Sequence, residues 1–212
     1  MFTAIVDLES GNLHSAVKAF ERVTRETRSE KVAIVSDPRD LTQASRIVLP
    51  GDGSFPNCMG ALSRQTDLFE TMAELVKKDG RPFLGICIGM QLLASKGHEF
   101  HAVSGLDWIP GEVEKIRPDD QQLKVPHMGW NDLIIDHPHA VIDGIDKGDH
   151  AYFVHSYQFR TAEPRHCIAH VDYGGAVTAI VAHDNLVGTQ FHPEKSQKTG
   201  LRLIANFLQW SP

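Results

Sequence analysis

Gly85-Ile86-Cys87-Ile88-Gly89-Met90-Gln91 constrains this chain more than any other segment. An apolar run, Pro82-Phe83-Leu84, leads into it, and Leu92-Leu93-Ala94 follows. The pattern predicts a strand feeding a helix through a turn too tight for side chains on either side of the cysteine. Gly85 and Gly89 let the backbone fold back and let another molecule approach. This is the frame of a nucleophile elbow with Cys in the Ser position. A thiol there, beside the first N–H groups of a helix, is biased toward the reactive thiolate. An isolated cysteine is more often a structural core residue, but the glycine frame and Gln91 favour the reactive reading.

A second fragment, Phe191-His192-Pro193-Glu194, lies about a hundred residues downstream. Pro193 ends the strand expected over residues 187–191, and Glu194 sits two positions past the histidine. A carboxylate bonded to one imidazole nitrogen fixes the tautomer and leaves the other nitrogen for a thiol. That singles out His192 among the 12 histidines. Pro50-Gly51-Asp52-Gly53 follows a third apolar run, Ile47-Val48-Leu49. Such a loop presents backbone N–H groups at a strand's carboxyl end, where open α/β sheets bind ligands. One of them and the N–H of Ile88 could form an oxyanion hole. Neither glycine segment matches the P-loop or the dinucleotide fingerprint. No cysteine pair or His-x-x-x-His run suggests zinc, and His137-Pro138-His139 reads as an exposed loop. No metal or cofactor is expected.

The 212 residues suit one domain, 1–212, with a sizeable core. A net charge of −6 and the lack of a dense Lys/Arg tract argue against nucleic acid or anionic membrane as partner. Met1-Phe2-Thr3-Ala4-Ile5-Val6-Asp7 reads as a first strand rather than a signal peptide, and no apolar stretch is long enough to span a bilayer. Cys58, Cys87 and Cys167 have no paired spacing, which suits a reducing cytoplasm.

The fold class expected is α/β, an open, mainly parallel sheet flanked by helices with an antiparallel extension. Residues 2–7, 32–35 and 47–49 read as strands and 13–23 as a helix after a turn at Ser10-Gly11-Asn12. A helix over 67–78 puts Leu68, Met72, Leu75 and Val76 on one face and is closed by Gly80. This alternation implies right-handed crossovers and a parallel sheet. The second half reads as strands at 113–116, 130–135, 151–159, 167–171, 177–182 and 186–191. Turns at Tyr173-Gly174-Gly175 and His183-Asp184-Asn185 suit antiparallel hairpins on the sheet edge. A last helix, 200–209, carries Leu201, Ile204, Phe207 and Leu208.

Leu49-Pro50-Gly51, the Cys87 segment and Phe191-His192-Pro193-Glu194 together resemble the signatures of class I (triad) glutamine amidotransferases. Lys124-Val125-Pro126-His127-Met128-Gly129-Trp130-Asn131, Tyr152-Phe153-Val154-His155-Ser156-Tyr157 and Gly188-Thr189-Gln190-Phe191-His192-Pro193-Glu194-Lys195-Ser196 are similar to stretches of the glutaminase subunits of imidazole glycerol phosphate synthases, in histidine biosynthesis. The resemblance covers nearly the whole chain. It implies the triad Cys87, His192 and Glu194, and an oxyanion hole at Gly51, Asp52 and Ile88. It implies glutamine contacts at Gly53, Gln91, His155, Ser156 and Tyr157. Through it, glutamine is the substrate and a (β/α)8 cyclase subunit the heterodimer partner. It also implies that Met128, Gly129, Trp130, Asn131 and Lys195 face that partner. From the residues alone, Trp130 would begin a core strand and Lys195 would be solvated.

The family's loop carries an aliphatic residue where this chain has Asp52. A carboxylate facing a developing oxyanion would oppose catalysis, so Asp52 is expected to point to solvent. Rival readings are an amidotransferase serving another synthase, a stand-alone γ-glutamyl hydrolase, and a scaffold that has lost its chemistry. The interface segment argues against the first, and the intact Cys87, His192 and Glu194 against the last.

Overall fold

The computed structural model describes residues 2–7, 13–27 and 30–212. The turn expected at Ser10-Gly11-Asn12 lies outside them. Four apolar runs form β1 (Phe2–Val6), β2 (Lys31–Val35), β3 (Arg46–Gly51) and β4 (Phe83–Cys87). Helices α1 (Leu13–Thr27), α2 (Pro38–Leu41), α3 (Phe55–Arg64) and α4 (Thr66–Lys77) stand between them in the chain. In α1 the buried Leu13, Ala16, Phe20 and Val23 recur at helical spacing, and in α4 the expected Leu68, Met72, Leu75 and Val76 are buried. Every residue of β4 is buried, as a parallel strand in mid-sheet requires.

Beyond β4 come α5 (Ile88–Gln91), β5 (Lys96–Gly97), β6 (Val103–Ser104), β7 (Gly111–Lys115), β8 (His127–Asp132) and β9 (Ile134–Ile135). They are followed by β10 (His150–His155), β11 (Tyr157–Thr161), β12 (Cys167–Asp172), β13 (Ala176–His183), β14 (Leu186–Thr189) and α6 (Gln197–Gln209). The main sheet has the order β2-β1-β3-β4-β14-β13-β12-β9. It is parallel from β2 through β14 and antiparallel from β14 to β9, the extension the sequence suggests.

The structure departs from expectation in five places. The single strand expected over 130–135 breaks at Leu133, so β8 pairs with β10 in a separate two-stranded sheet while β9 joins β12. The strand over 151–159 breaks at Ser156, and β11 pairs with β7 in a small sheet of order β11-β7-β5-β6. Alternating hydrophobicity marks a strand but not its partner, and both breaks are changes of partner. Helix α3 was not anticipated: Pro56 and Gly60 look like breakers, yet Pro56 sits in the first turn, where its missing N–H has no partner to lose. The helix after Cys87 is only one turn, so a long-helix dipole is not what acts on the thiol. In α6, Leu201 is only partly buried; Gly200 and Leu203 face the core instead, because Gly200 packs on the Pro193 carbonyl.

Candidate active site

The C-terminal ends of β3, β4 and β14 converge, and the candidate residues lie on those ends. Gly51 is paired in register with Cys87. Cys87 has φ 55° and ψ −110°, the strained conformation of an elbow. The flanking glycines are required by contact. A Cβ on Gly85 would fall on the Gly89 carbonyl, and one on Gly89 on the Leu49 carbonyl oxygen. A Cβ on Gly51 would lie 3.1 Å from Ile88 Cβ and 3.2 Å from the Gly89 nitrogen. The Pro50-Gly51 loop and the elbow are therefore in direct contact.

His192 follows β14 and is 5% exposed. Its Nδ1 hydrogen-bonds the Glu194 carboxylate at 2.8 Å, and both side chains are nearly inaccessible. The Cys87 side chain lies close enough to the imidazole to raise its pKa. Because Nδ1 is held by Glu194, the Cys87 contact belongs to Nε2. Burial by itself lowers the imidazole pKa, but the contact with Cys87, the bond to Glu194 and the charges of both overcome it and lift the group to about 10. The backbone of this segment is clamped from beneath. Ser196 Oγ donates to the His192 carbonyl at 2.7 Å and accepts from the Tyr152 N–H at 3.0 Å, while the His192 N–H donates to the Tyr152 carbonyl.

A cavity of about 260 Å³ opens beside the cysteine. Cys87, Ile88, Asp52, Gly53, Gln91, His155, Ser156 and Tyr157 are among the residues that line it. Gly53 has φ 110°, which favours glycine. Asp52 is exposed, and its carbonyl accepts from the buried Cys58 thiol at 3.6 Å. The Gly53 N–H, across that planar peptide, points the other way. Burial pushes the Cys58 thiol up to about 11, with the charges of Cys87, Asp52 and Glu99 adding to it, so Cys58 is no rival nucleophile. Gln91 is 1% exposed, and its Oε1 has no hydrogen-bond partner among the described residues.

Met128 and Trp130 stand 63% and 46% exposed on the outer face of β8. Lys195, also exposed, has its ammonium 6.0 Å from the centroid of Tyr152, whose ring Trp130 meets edge-on at 5.9 Å. Gly129 lies between the two exposed residues with φ 131°. Asn131 turns inward, its amide donating to the Asp172 carbonyl at 3.0 Å and toward His127 at 3.3 Å. His137 and Pro138 are exposed as expected, and His139 accepts from the Val141 N–H. Among the described residues no group of His, Cys, Asp and Glu could hold a metal ion.

Sequence reasoning missed Glu99, Gln190, Ser196 and His127 as parts of this site. Glu99 lines the cavity and accepts from the Phe55 N–H at 2.8 Å. No local pattern marks it, because it arrives from the connection between β5 and β6. Gln190 and Ser196 flank the histidine motif, and that proximity was the available signal.

A glutamine amidotransferase class-I family model matches residues 4–210. Over all 212 residues and the full length of each relative, the chain is 57% identical to imidazole glycerol phosphate synthase subunit HisH of Ruegeria pomeroyi and 59% identical to that of Cereibacter sphaeroides. A solved glutamine amidotransferase superposes with a TM-score of 0.73 at 17% identity, covering 99% of this chain and 98% of that one. Another, from Thermotoga maritima, gives 0.60 at 16% identity over 91% of this chain and 76% of that one. At such identities the two structures show the fold alone. The chain belongs to the class-I glutamine amidotransferase family and, within it, to the group of subunits named HisH.

Proposed function

We propose that Cys87, His192 and Glu194 hydrolyse glutamine through a cysteinyl thioester, in a chain that forms one domain over residues 1–212. The chain is a glutaminase subunit of imidazole glycerol phosphate synthase. The observation that supports the reading of its site is the buried His192–Glu194 pair, with Cys87 close enough to shift the imidazole, beside a cavity of amino-acid size. A 260 Å³ space is below the ~300–1,000 Å³ of drug-sized pockets.

The geometry supports the following steps. Cys87 Sγ, its proton already held on His192 Nε2, attacks the side-chain carbonyl carbon of glutamine as the thiolate. The oxyanion takes N–H groups from the Gly51-Asp52 loop and Ile88. The C–N bond breaks as His192 returns the proton to the departing ammonia. Water, deprotonated by His192, then hydrolyses the thioester and releases glutamate. Gln91 Oε1 accepts a hydrogen bond from the bound glutamine. Gly53, His155, Ser156 and Tyr157 hold its backbone end, and the Glu99 carboxylate suits its ammonium group. The solvent-facing Asp52 contributes its backbone, not its charge.

Ammonia in neutral water is mostly ammonium and cannot attack carbon, so it must move dry to a second active site. A (β/α)8 cyclase subunit docks on Met128, Gly129, Trp130 and Lys195, with Asn131 bracing the strand from within, and uses the ammonia to make imidazole glycerol phosphate and an aminoimidazole carboxamide nucleotide. The test mixes this chain with that cyclase, glutamine and the phosphorylated ribulosyl nucleotide, and follows glutamate. Glutamate release that rises on adding cyclase and nucleotide, and vanishes in Cys87→Ala, is expected. Release by Cys87→Ala at the unaltered rate would sink the assignment.

A further inference from the structure

Gln190 has no exposed surface and lies two residues before His192. Its Nε2 donates to Cys87 Sγ at 3.8 Å, and its Oε1 accepts from Gln91 Nε2 at 2.9 Å. Burying a primary amide has a desolvation cost that an apolar side chain of the same volume avoids. Its place against the sulfur therefore calls for a chemical reason.

The orientation of that amide is fixed from behind. Gln91 Nε2 also donates to the Tyr157 carbonyl at 3.1 Å. The same carbonyl, which can only accept, meets His155 Nδ1 at 2.8 Å, so that nitrogen carries the proton. His155 Nε2 must then accept, and His127 Nδ1 donates to it at 3.0 Å. Burial lowers His155 to about 3 and His127 to about 4, which keeps both rings neutral and the order fixed. With its nitrogen turned to Tyr157 and Gln190, Gln91 admits only the Gln190 carbonyl as neighbour. The Gln190 N–H is left for the sulfur.

We infer that Gln190 is a further catalytic residue: its side-chain amide donates to Cys87 and stabilises the thiolate. Gln91 and the Tyr157 carbonyl set the direction of that amide, and His155 and His127 form a positioning network that holds the carbonyl in place. The inference rests on Cys87 being the nucleophile, as proposed above. The Cys87 sulfur has His192, backed by Glu194, after β14. Cys58 from α3 is near it, and Asp52, Glu99 and His155 line the same cavity. A Gln190→Leu substitution alters none of these groups.

The experiment follows alkylation of Cys87 by iodoacetamide against pH in the full chain, with the labelled peptide identified by mass spectrometry. Turnover is measured on the same variants assembled with the cyclase. Gln190→Leu is expected to slow Cys87 alkylation at pH 7 by about tenfold, the worth of one hydrogen bond to a charged group. Its pH midpoint moves upward, and kcat falls while KM changes little. Gln190→Glu, of the same size but lacking the donor, slows it further; it carries the test if the leucine variant fails to fold. His127→Phe keeps a ring stacked on Phe153, now at 4.8 Å, but loses the donor, and is expected to shift the midpoint the same way by less. Unchanged alkylation in both Gln190 variants overturns the inference, whatever happens to KM, and an unchanged midpoint in His127→Phe overturns the positioning network. Hydrolysis surviving in Cys87→Ala would instead overturn the nucleophile assignment, so the two failures are distinguishable.

Discussion

Cys87 carries its reactivity and its strain at the same atom. Its φ of 55° and ψ of −110° lie outside the regions open to most side chains, at a cost of about 1–3 kcal/mol. Glycine would release most of that cost, whereas alanine keeps the Cβ that causes it. Cys87→Gly is therefore expected to be more stable to urea than Cys87→Ala by about 1 kcal/mol. Equal stability would mean the elbow is not strained. His192 stores a different free energy. Its pKa in the folded chain, about 10, stands above the ordinary 6.5, because the Cys87 contact and the Glu194 bond outweigh burial. A raised pKa stabilises the fold fully below about pH 6.5, and that contribution is lost as pH rises through about 10. Glu194→Gln should lower the His192 pKa and destabilise the chain at pH 7 more than at pH 10.5. Urea unfolding at both pH values, compared with the parent, reads the difference; a gap that widens with pH would contradict it. The same substitution should cut turnover by about 10²–10⁴-fold, since His192 loses its orienting partner.

At the scale of elements, the elbow is a three-body contact. The end of β3, the end of β4 and the single turn of α5 meet with no room for a methyl group at Gly85 or Gly89. Gly89→Ala would drive its Cβ into the Leu49 carbonyl oxygen, and backbone cannot yield as a flexible side chain can. A loss of about 3 kcal/mol or more is expected by urea unfolding, with activity lost in any chain that still folds. A fully active Gly89→Ala protein would show that β3 and α5 are not in contact in solution. The glycine spacing was legible in the sequence as a tight turn, although the second strand it presses on was not. The helix read after Cys87 shrinks to one turn because Leu92 and Leu93 take up turns that pack against residues 106–109.

Across the whole molecule, the two small sheets separate the inner site from the outer face. β10 pairs with β8, placing His155 against the cavity while Met128 and Trp130 stay exposed on the other side. Far from the site, Arg46 ties the start of β3 to Glu30 and to the carbonyls of Phe207 and Trp210 at the end of α6, fastening the last helix to the amino end of that strand. The exposed apolar pair is the surface a partner would cover. Met128→Glu combined with Trp130→Glu is expected to leave the melting temperature within a few degrees, since neither side chain is in the core. The double variant should weaken binding to the cyclase subunit by at least about tenfold, as calorimetry would show. Undiminished binding would place the docking surface elsewhere.

The sequence by itself determined the parallel half of the sheet, the elbow and the identities of Cys87, His192 and Glu194. Those signals are local: apolar runs ended by Pro and Gly, a glycine frame, and a carboxylate two residues past its histidine. Only the tertiary structure decided the rest. Strands 130–135 and 151–159 change partner in mid-run, and no alternation of side chains encodes with whom a strand pairs. Glu99 and Gln190 reach the site from elements far apart in the chain, and their roles come from the groups that folding sets against them. Asn131 reads as part of an outer face, yet its amide turns inward because the Asp172 carbonyl offers it a hydrogen bond there.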